Sequence, residues 1–150
     1  MSNLFAITTM LILLVSCNGD RIFEDYKGME RQSWNITDTI AFDLPIPRDE
    51  SNALIGIKYN LDYKFRNLYV KYFLSDSLGV KFESQLLNIS LFDSKGGRPT
   101  GSGFGSIFTR FDTLPLISGE QYTKIEFVQY MRVDELIGIE AVGFKLVNTK

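Results

Sequence analysis

From residue 37 to the end of the chain, apolar side chains recur at every second position, a period that admits little besides half-buried antiparallel sheet. In the segment opening at Thr37, Ile40, Phe42 and Leu44 fall on one face and Thr39, Ala41 and Asp43 on the other, before Pro45 and Pro47 close it. Ile55, Ile57 and Tyr59 alternate with Gly56, Lys58 and Asn60. Leu68, Val70, Tyr72 and Leu74 alternate with Tyr69, Lys71 and Phe73. Asp76-Ser77-Leu78-Gly79 reads as a turn, after which Val80 to Phe82 begins the return of a hairpin. Leu87 to Leu91, Ile107 to Phe111, Tyr122 to Met131 and Ala141 to Val147 bring the count to about eight strands. Strands this short, separated by Gly, Pro, Asn and Asp, predict an all-β fold, an antiparallel β-sandwich of jelly-roll-like kind. Tyr122, Ile125 and Val128 also match helical spacing, but β-branched and aromatic content tips that segment to strand. Asp134 to Ile137 fits one helical turn capped by Asp134.

The N-terminus obeys a different rule. Leu4 to Val15 is continuously apolar, shorter than the roughly 20 residues a transmembrane helix needs and suited to the h-region of an export signal. It runs into Leu14-Val15-Ser16-Cys17, the pattern of a lipobox, although the n-region Met1-Ser2-Asn3 carries no Lys or Arg. Cleavage before Cys17 would let its thiol and its new amino group carry acyl chains, and several chains anchor stably where one binds only marginally. The expected organisation is a signal peptide at 1–16, a lipidated tether at 17–32 and a β-sandwich domain at 33–150. Asn18 in place of Asp lacks the common inner-membrane retention signal, so the outer membrane is the expected location.

Composition removes several chemistries. The chain has no His and one Cys, which excludes His-dependent catalytic pairs, His-ligated zinc, multi-Cys metal sites and an internal disulfide. No metal or cofactor is expected. Sixteen Lys and Arg against eighteen Asp and Glu give a net charge of −2, so a nucleic-acid partner is not expected. An enzyme here would depend on a carboxylate pair such as a glycosidase uses. Adjacent acids at Glu24-Asp25, Asp49-Glu50 and Asp134-Glu135 read instead as solvated turn residues.

Three features invite a second reading. Gly101-Ser102-Gly103-Phe104-Gly105 lacks the Gly-Lys-Ser/Thr ending of a phosphate loop, and its glycines are expected to set backbone shape while Phe104 fills an apolar slot. Among twelve Phe, seven Tyr and one Trp, Trp34, Tyr26 and Tyr130 stand outside the alternating pattern. With Arg132 they are the candidate contacts to a protein partner or, as a stacking platform, to a glycan. Asp38-Thr39-Ile40, Asp76-Ser77-Leu78 and Asp112-Thr113-Leu114 resemble the O-glycosylation acceptor of exported Bacteroidota proteins, at Thr39, Ser77 and Thr113. Asp-Ser and Asp-Thr pairs also favour turns for purely local reasons.

Taken in order, the lipobox Cys17, Asp20-Arg21, Tyr26, Trp34, Asp38 to Phe42, Asn67-Leu68, Gly101 to Gly105, Gln129-Tyr130-Met131-Arg132, Gly138-Ile139 and Val142-Gly143-Phe144 resemble the gliding motility lipoproteins of the GldH type from Bacteroidota. The resemblance spans the mature chain. It implies a non-enzymatic, lipid-anchored envelope protein acting as accessory or scaffold in the motility machinery, with other envelope or motility proteins as partners. The family supplies no catalytic residue to carry over. The competing expectation is a surface glycan-binding lipoprotein of jelly-roll type.

Overall fold

The alternation around Ile55 becomes a ten-residue inner strand of a sandwich, because Ala53, Ile55, Ile57 and Tyr59 all point away from water. A computed structural model describes residues 19–44, 51–116 and 122–149, with the backbone alone at 82 and 83. Cys17, Pro45, Pro47 and the Asp49-Glu50 pair lie outside the described residues. The strands are β1 (Arg21–Gly28), β2 (Ser33–Asn35), β3 (Ile40–Asp43), β4 (Ser51–Asn60), β5 (Asn67–Ser75), β6 (Lys81–Ser90), β7 (Ser102–Phe104), β8 (Ile107–Thr113), β9 (Lys124–Gln129), β10 (Glu135–Ile137) and β11 (Ile139–Asn148). A five-stranded sheet in the order β1-β11-β4-β8-β7 faces a four-stranded sheet in the order β3-β9-β5-β6, and β2 pairs with β10 in a short ribbon. Every pairing is antiparallel.

The two inner faces interdigitate in a core of Ile55, Ile57, Tyr59, Val142 and Phe144 from one sheet against Leu68, Val70, Tyr72, Leu74, Ile125 and Phe127 from the other. Phe42 on β3 packs on both Phe127 and Phe144, with ring centroids 6.1 and 6.3 Å apart. Aromatic pairs at this range add to simple area burial.

Among the described residues, eleven strands stand where about eight are expected. The stretch expected as a tether contains β1, an edge strand that runs the length of β11 in continuous register from Phe23 opposite Leu146 to Gly28 opposite Ala141. Its charges obscured the alternation: Glu24 takes Arg21 and Lys145 as ion partners on the outer face, at 3.1 and 3.6 Å. The segments at Val80–Phe82 and Leu87–Leu91 merge into the single strand β6. Asp134 to Ile137 is not a helical turn. Leu136 is wholly buried opposite Trp34, and that contact recruits Glu135–Ile137 into the ribbon with β2. Phe104 does not enter an apolar slot either. It is 96% exposed at the tip of the β7–β8 hairpin. Nor is it a positive φ that keeps a side chain off Gly103. A Cβ there would run into the Ile107 carbonyl oxygen and the Phe108 ring, because β7 and β8 cross so closely.

Hydrogen bonds at the strand ends give the sandwich two distinct poles. The Asn148 amide donates to the Asp20 carbonyl and its Nδ2 donates to the Gly19 carbonyl, so the chain enters β1 against the end of β11. The Leu114 amide donates to the Ala53 carbonyl, Tyr72 Oη donates to the Pro115 carbonyl, and the Thr123 amide donates to the Ser75 carbonyl. The starts of β1, β4, β6 and β9 and the ends of β3, β5, β8 and β11 therefore share one pole, with the β5–β6 hairpin tip. At the other pole lie the turns after β4, β6, β7 and β9, joined by bonds such as Tyr59 Oη to the Leu91 carbonyl at 2.7 Å.

Candidate functional site

The four residues proposed from sequence as contacts fall into three different environments. Trp34 has no exposed surface, and its indole Nε1–H donates to the Asp38 carbonyl at 3.1 Å. It is a core residue closing the β2–β10 ribbon over the sandwich, and no partner or glycan can stack on it. The expectation of an exposed Trp34 is corrected by this burial. An apolar run was absent around it only because β2 is three residues long.

Tyr26 lies across the outer face of the five-stranded sheet. The register places Tyr26, Gly143, Gly56 and Phe111 side by side on β1, β11, β4 and β8. A Cβ at Gly143 would enter the Tyr26 ring, and one at Gly56 would sit 2.8 Å from its hydroxyl oxygen. The ring thus covers backbone that two glycines leave bare, which repairs the packing those glycines forgo. Lys58 Nζ stands 4.4 Å above the ring, and Lys145 Nζ stands 4.9 Å above Phe111. Burial, with the neighbouring Glu24 carboxylate, pushes the Tyr26 phenol up from 10 to about 12. A raised value in the folded state means that its contribution to stability is complete below pH 10 and is lost as pH climbs toward 12. The Tyr26→Phe variant is therefore expected to lose less stability than the unsubstituted protein between pH 10 and 12, as read by chemical denaturation at each pH.

Tyr130 and Arg132 come together. Both line a shallow groove of about 470 Å³ on the outer face of the four-stranded sheet, with Ile36, Phe73, Val128 and Gln129. Tyr130 is 55% exposed and Ile36 44%. Lys71 Nζ lies 5.3 Å from the Phe73 ring centre and 5.9 Å from that of Tyr130, and Lys81 Nζ lies 4.4 Å from Phe73 on its other side. No carboxylate lines the groove. The nearest in register is Glu126, opposite Phe73, and it is taken by Lys81 at 3.1 Å and Lys124 at 3.3 Å. Burial works to raise the Glu126 carboxyl, yet the hydrogen bonds and charges of the two lysines outweigh it and hold it below its usual value. The groove thus combines aromatic surface with positive charge from Lys71 and Arg132, which form no ion pair among the described residues, a combination suited to an apolar segment that carries a carboxylate.

Gln129 enters the sequence reading only within the motif Gln129-Tyr130-Met131-Arg132, with no role of its own. It is a polar residue in an inward position of β9, after Ile125 and Phe127, and only 2% exposed. Its Nε2 donates to the Val133 carbonyl at 2.7 Å while its Oε1 accepts from the Met131 amide at 2.9 Å. Both bonds fold the segment beyond β9 into the turn that holds Arg132 at a φ of 57°. The signal was there: a glutamine where alternation demands an apolar residue must be satisfied by backbone.

The three acceptor-like tripeptides are local in design. Asp38 accepts from the Asn35 amide, Asp76 from those of Leu78 and Val80, and Asp112 from that of Thr113. Thr39, Ser77 and Thr113 nevertheless stay exposed. Of the acidic pairs, Glu24 is held by Arg21 and Lys145, and Glu135 accepts the Ser33 hydroxyl at 2.8 Å.

Comparison with known proteins places this sequence among relatives. The sequence profile described as GldH lipoprotein matches residues 21–146. The curated gliding motility lipoprotein GldH of Flavobacterium johnsoniae is 26% identical over 149 residues, covering 90% of this chain and 89% of the relative. No solved structure matches the chain significantly.

Proposed function

The chain belongs to the GldH lipoprotein family, and from that premise we propose that it is an accessory or scaffold component of the gliding machinery, tethered through Cys17 to the outer membrane. Membership makes it a motility lipoprotein anchored in the cell envelope and gives no support to an enzymatic reading. The observation that carries the scaffold reading is the groove of Tyr130 and Arg132. It lies on the outer face of the four-stranded sheet, which no other strand covers among the described residues, toward the pole away from the entry into β1. A protein held at one pole and recognised near the other can bridge a membrane and a second component. The partner proposed is an envelope or motility protein offering an apolar segment with a carboxylate. Glycan binding is not favoured, because Trp34 is in the core and Tyr26 is spent on covering glycines. Thr39 and Thr113, both exposed, are proposed O-glycosylation acceptors, with Ser77 considered below.

The anchor is tested by Cys17→Ser. The variant should remain unprocessed or leave the membrane fraction, and spreading should fail. Membrane fractionation of Cys17→Ser at the mature size would contradict the reading.

A further inference from the structure

We propose that the β5–β6 hairpin tip, Leu78 and Val80, dips into the bilayer to which the chain is anchored, as a second membrane contact that sets the domain's orientation. This rests on the proposed acylation of Cys17. Gly19 is fixed against Asn148, and Cys17 lies two residues before it, so the lipidated residue is within about 7 Å of the pole where β1 begins. That same pole carries the β5–β6 tip, as the bonds of Pro115 to Tyr72 and of Thr123 to Ser75 show. An anchor this short leaves the pole no room to stand clear of the headgroups.

The tip itself is built against its surroundings. Leu78 is 86% exposed and Val80 51%, in a turn of five residues where solvated side chains would be ordinary. The turn is also rigid. Asp76 Oδ1 accepts from the Leu78 and Val80 amides at 2.9 and 3.0 Å, the Gly79 amide donates to the Asp76 carbonyl, and Gly79 holds a φ of 77°. The amides of Asp76, Leu78, Gly79 and Val80 are thus satisfied from within, which lowers the cost of apolar immersion. Lys81 and Lys124 flank the base of the turn, both paired with Glu126 at 3.1 and 3.3 Å, so the contact proposed rests on the apolar tip and not on free lysine charge. Two side chains would not hold the domain to a membrane unaided, since even one acyl chain is marginal. Beside a covalent anchor they need only bias its tilt. Phe104, the most exposed large apolar residue among the described residues, sits at the opposite pole and serves as the contrast.

Once Cys17 carries its lipid, the chain has no free thiol, so Leu78→Cys and Phe104→Cys each offer a single labelling site. The full-length acylated variants, shown to keep the parent's thermal midpoint, are reconstituted in vesicles of phosphatidylethanolamine and phosphatidylglycerol and labelled with an environment-sensitive fluorophore. The label at 78 should emit at blue-shifted wavelength and be quenched severalfold more by a lipid-borne quencher than the label at 104, with iodide showing the reverse order. Equal, water-like behaviour at both positions in a chain that floats with the vesicles overturns the tip contact and leaves the anchor standing. A chain that does not float overturns both. A glycan on Ser77 would hold Leu78 out of the bilayer, so a sugar found on the peptide spanning 76–80 of the anchored protein overturns the inference as well.

Discussion

Replacing Trp34 by alanine is expected to remove about 3–5 kcal/mol of folding stability, the range for losing a fully buried large aromatic side chain. A domain of this size commonly has about 5–15 kcal/mol in total, so the variant should keep a much smaller margin of stability and be less abundant in cells. The cost has two parts. The indole fills the space between the β2–β10 ribbon and the core, where Leu136 and Ile139 are also wholly buried, and its N–H satisfies the Asp38 carbonyl at the turn leading into β3. Trp34→Phe separates the parts. It keeps most of the apolar volume and loses the hydrogen bond, so a loss of about 1–3 kcal/mol is expected. Thermal and denaturant midpoints read both. A Trp34→Ala midpoint unchanged from the parent would return Trp34 to the list of surface contacts.

Gly138→Ala is expected to be nearly as damaging. Gly138 has a φ of 91°, and a Cβ built there overlaps the Tyr63 backbone nitrogen. Backbone in that region costs on the order of 1–3 kcal/mol for a residue with a side chain, and here the clash cannot be relieved by a rotamer. Its amide donates to the Gln32 carbonyl and its own carbonyl accepts from the Asn60 amide, each at 2.9 Å, so moving it disturbs the junction of β10, β11 and the turns after β1 and β4. A loss of about 3 kcal/mol or more is expected in denaturant unfolding. Gly105→Ala provides the comparison: its φ of 66° carries the same kind of strain, but nothing lies within 4 Å of the added methyl. About 1 kcal/mol is expected there.

The long central strands were legible because both of their neighbours are sheet. Side chains of β4, β5, β9 and β11 must alternate between core and surface, and Ile55, Leu68, Ile125 and Val142 all follow that rule. The strands that went unread are short or at an edge. β1 has water on one flank and accommodates Glu24 and Tyr26 outward, so its charge pattern mimics a linker. β2 and β10 are three residues each and exist because Trp34 and Leu136 meet across 102 positions of sequence, a relation that no local period encodes. The candidate site follows the same logic. Arg132 was visible as a residue just past the expected strand Tyr122 to Met131, and Tyr130 as an aromatic outside the alternating pattern; β9 itself ends at Gln129. The neighbours that make them a groove, Ile36 and Phe73, come from β2's exit and from β5, and only the fold unites them. Trp34 was misplaced because β2 ends at Asn35 and Ile36 and Thr37 already turn, so no alternating run says which way the ring points.

The account's central claim is that the groove beside Tyr130 and Arg132 engages a partner while the other pole is held at the membrane. Alanine at both positions tests it with little structural cost, since Tyr130 is exposed and alanine at position 132 keeps the same Cβ strain as arginine at a φ of 57°. In a gliding host, the double variant Tyr130→Ala/Arg132→Ala should match the parent in steady-state level, thermal midpoint and membrane fractionation, and its colonies should fail to spread. Colonies spreading at the parental rate, with level and fractionation equal, would contradict the claim.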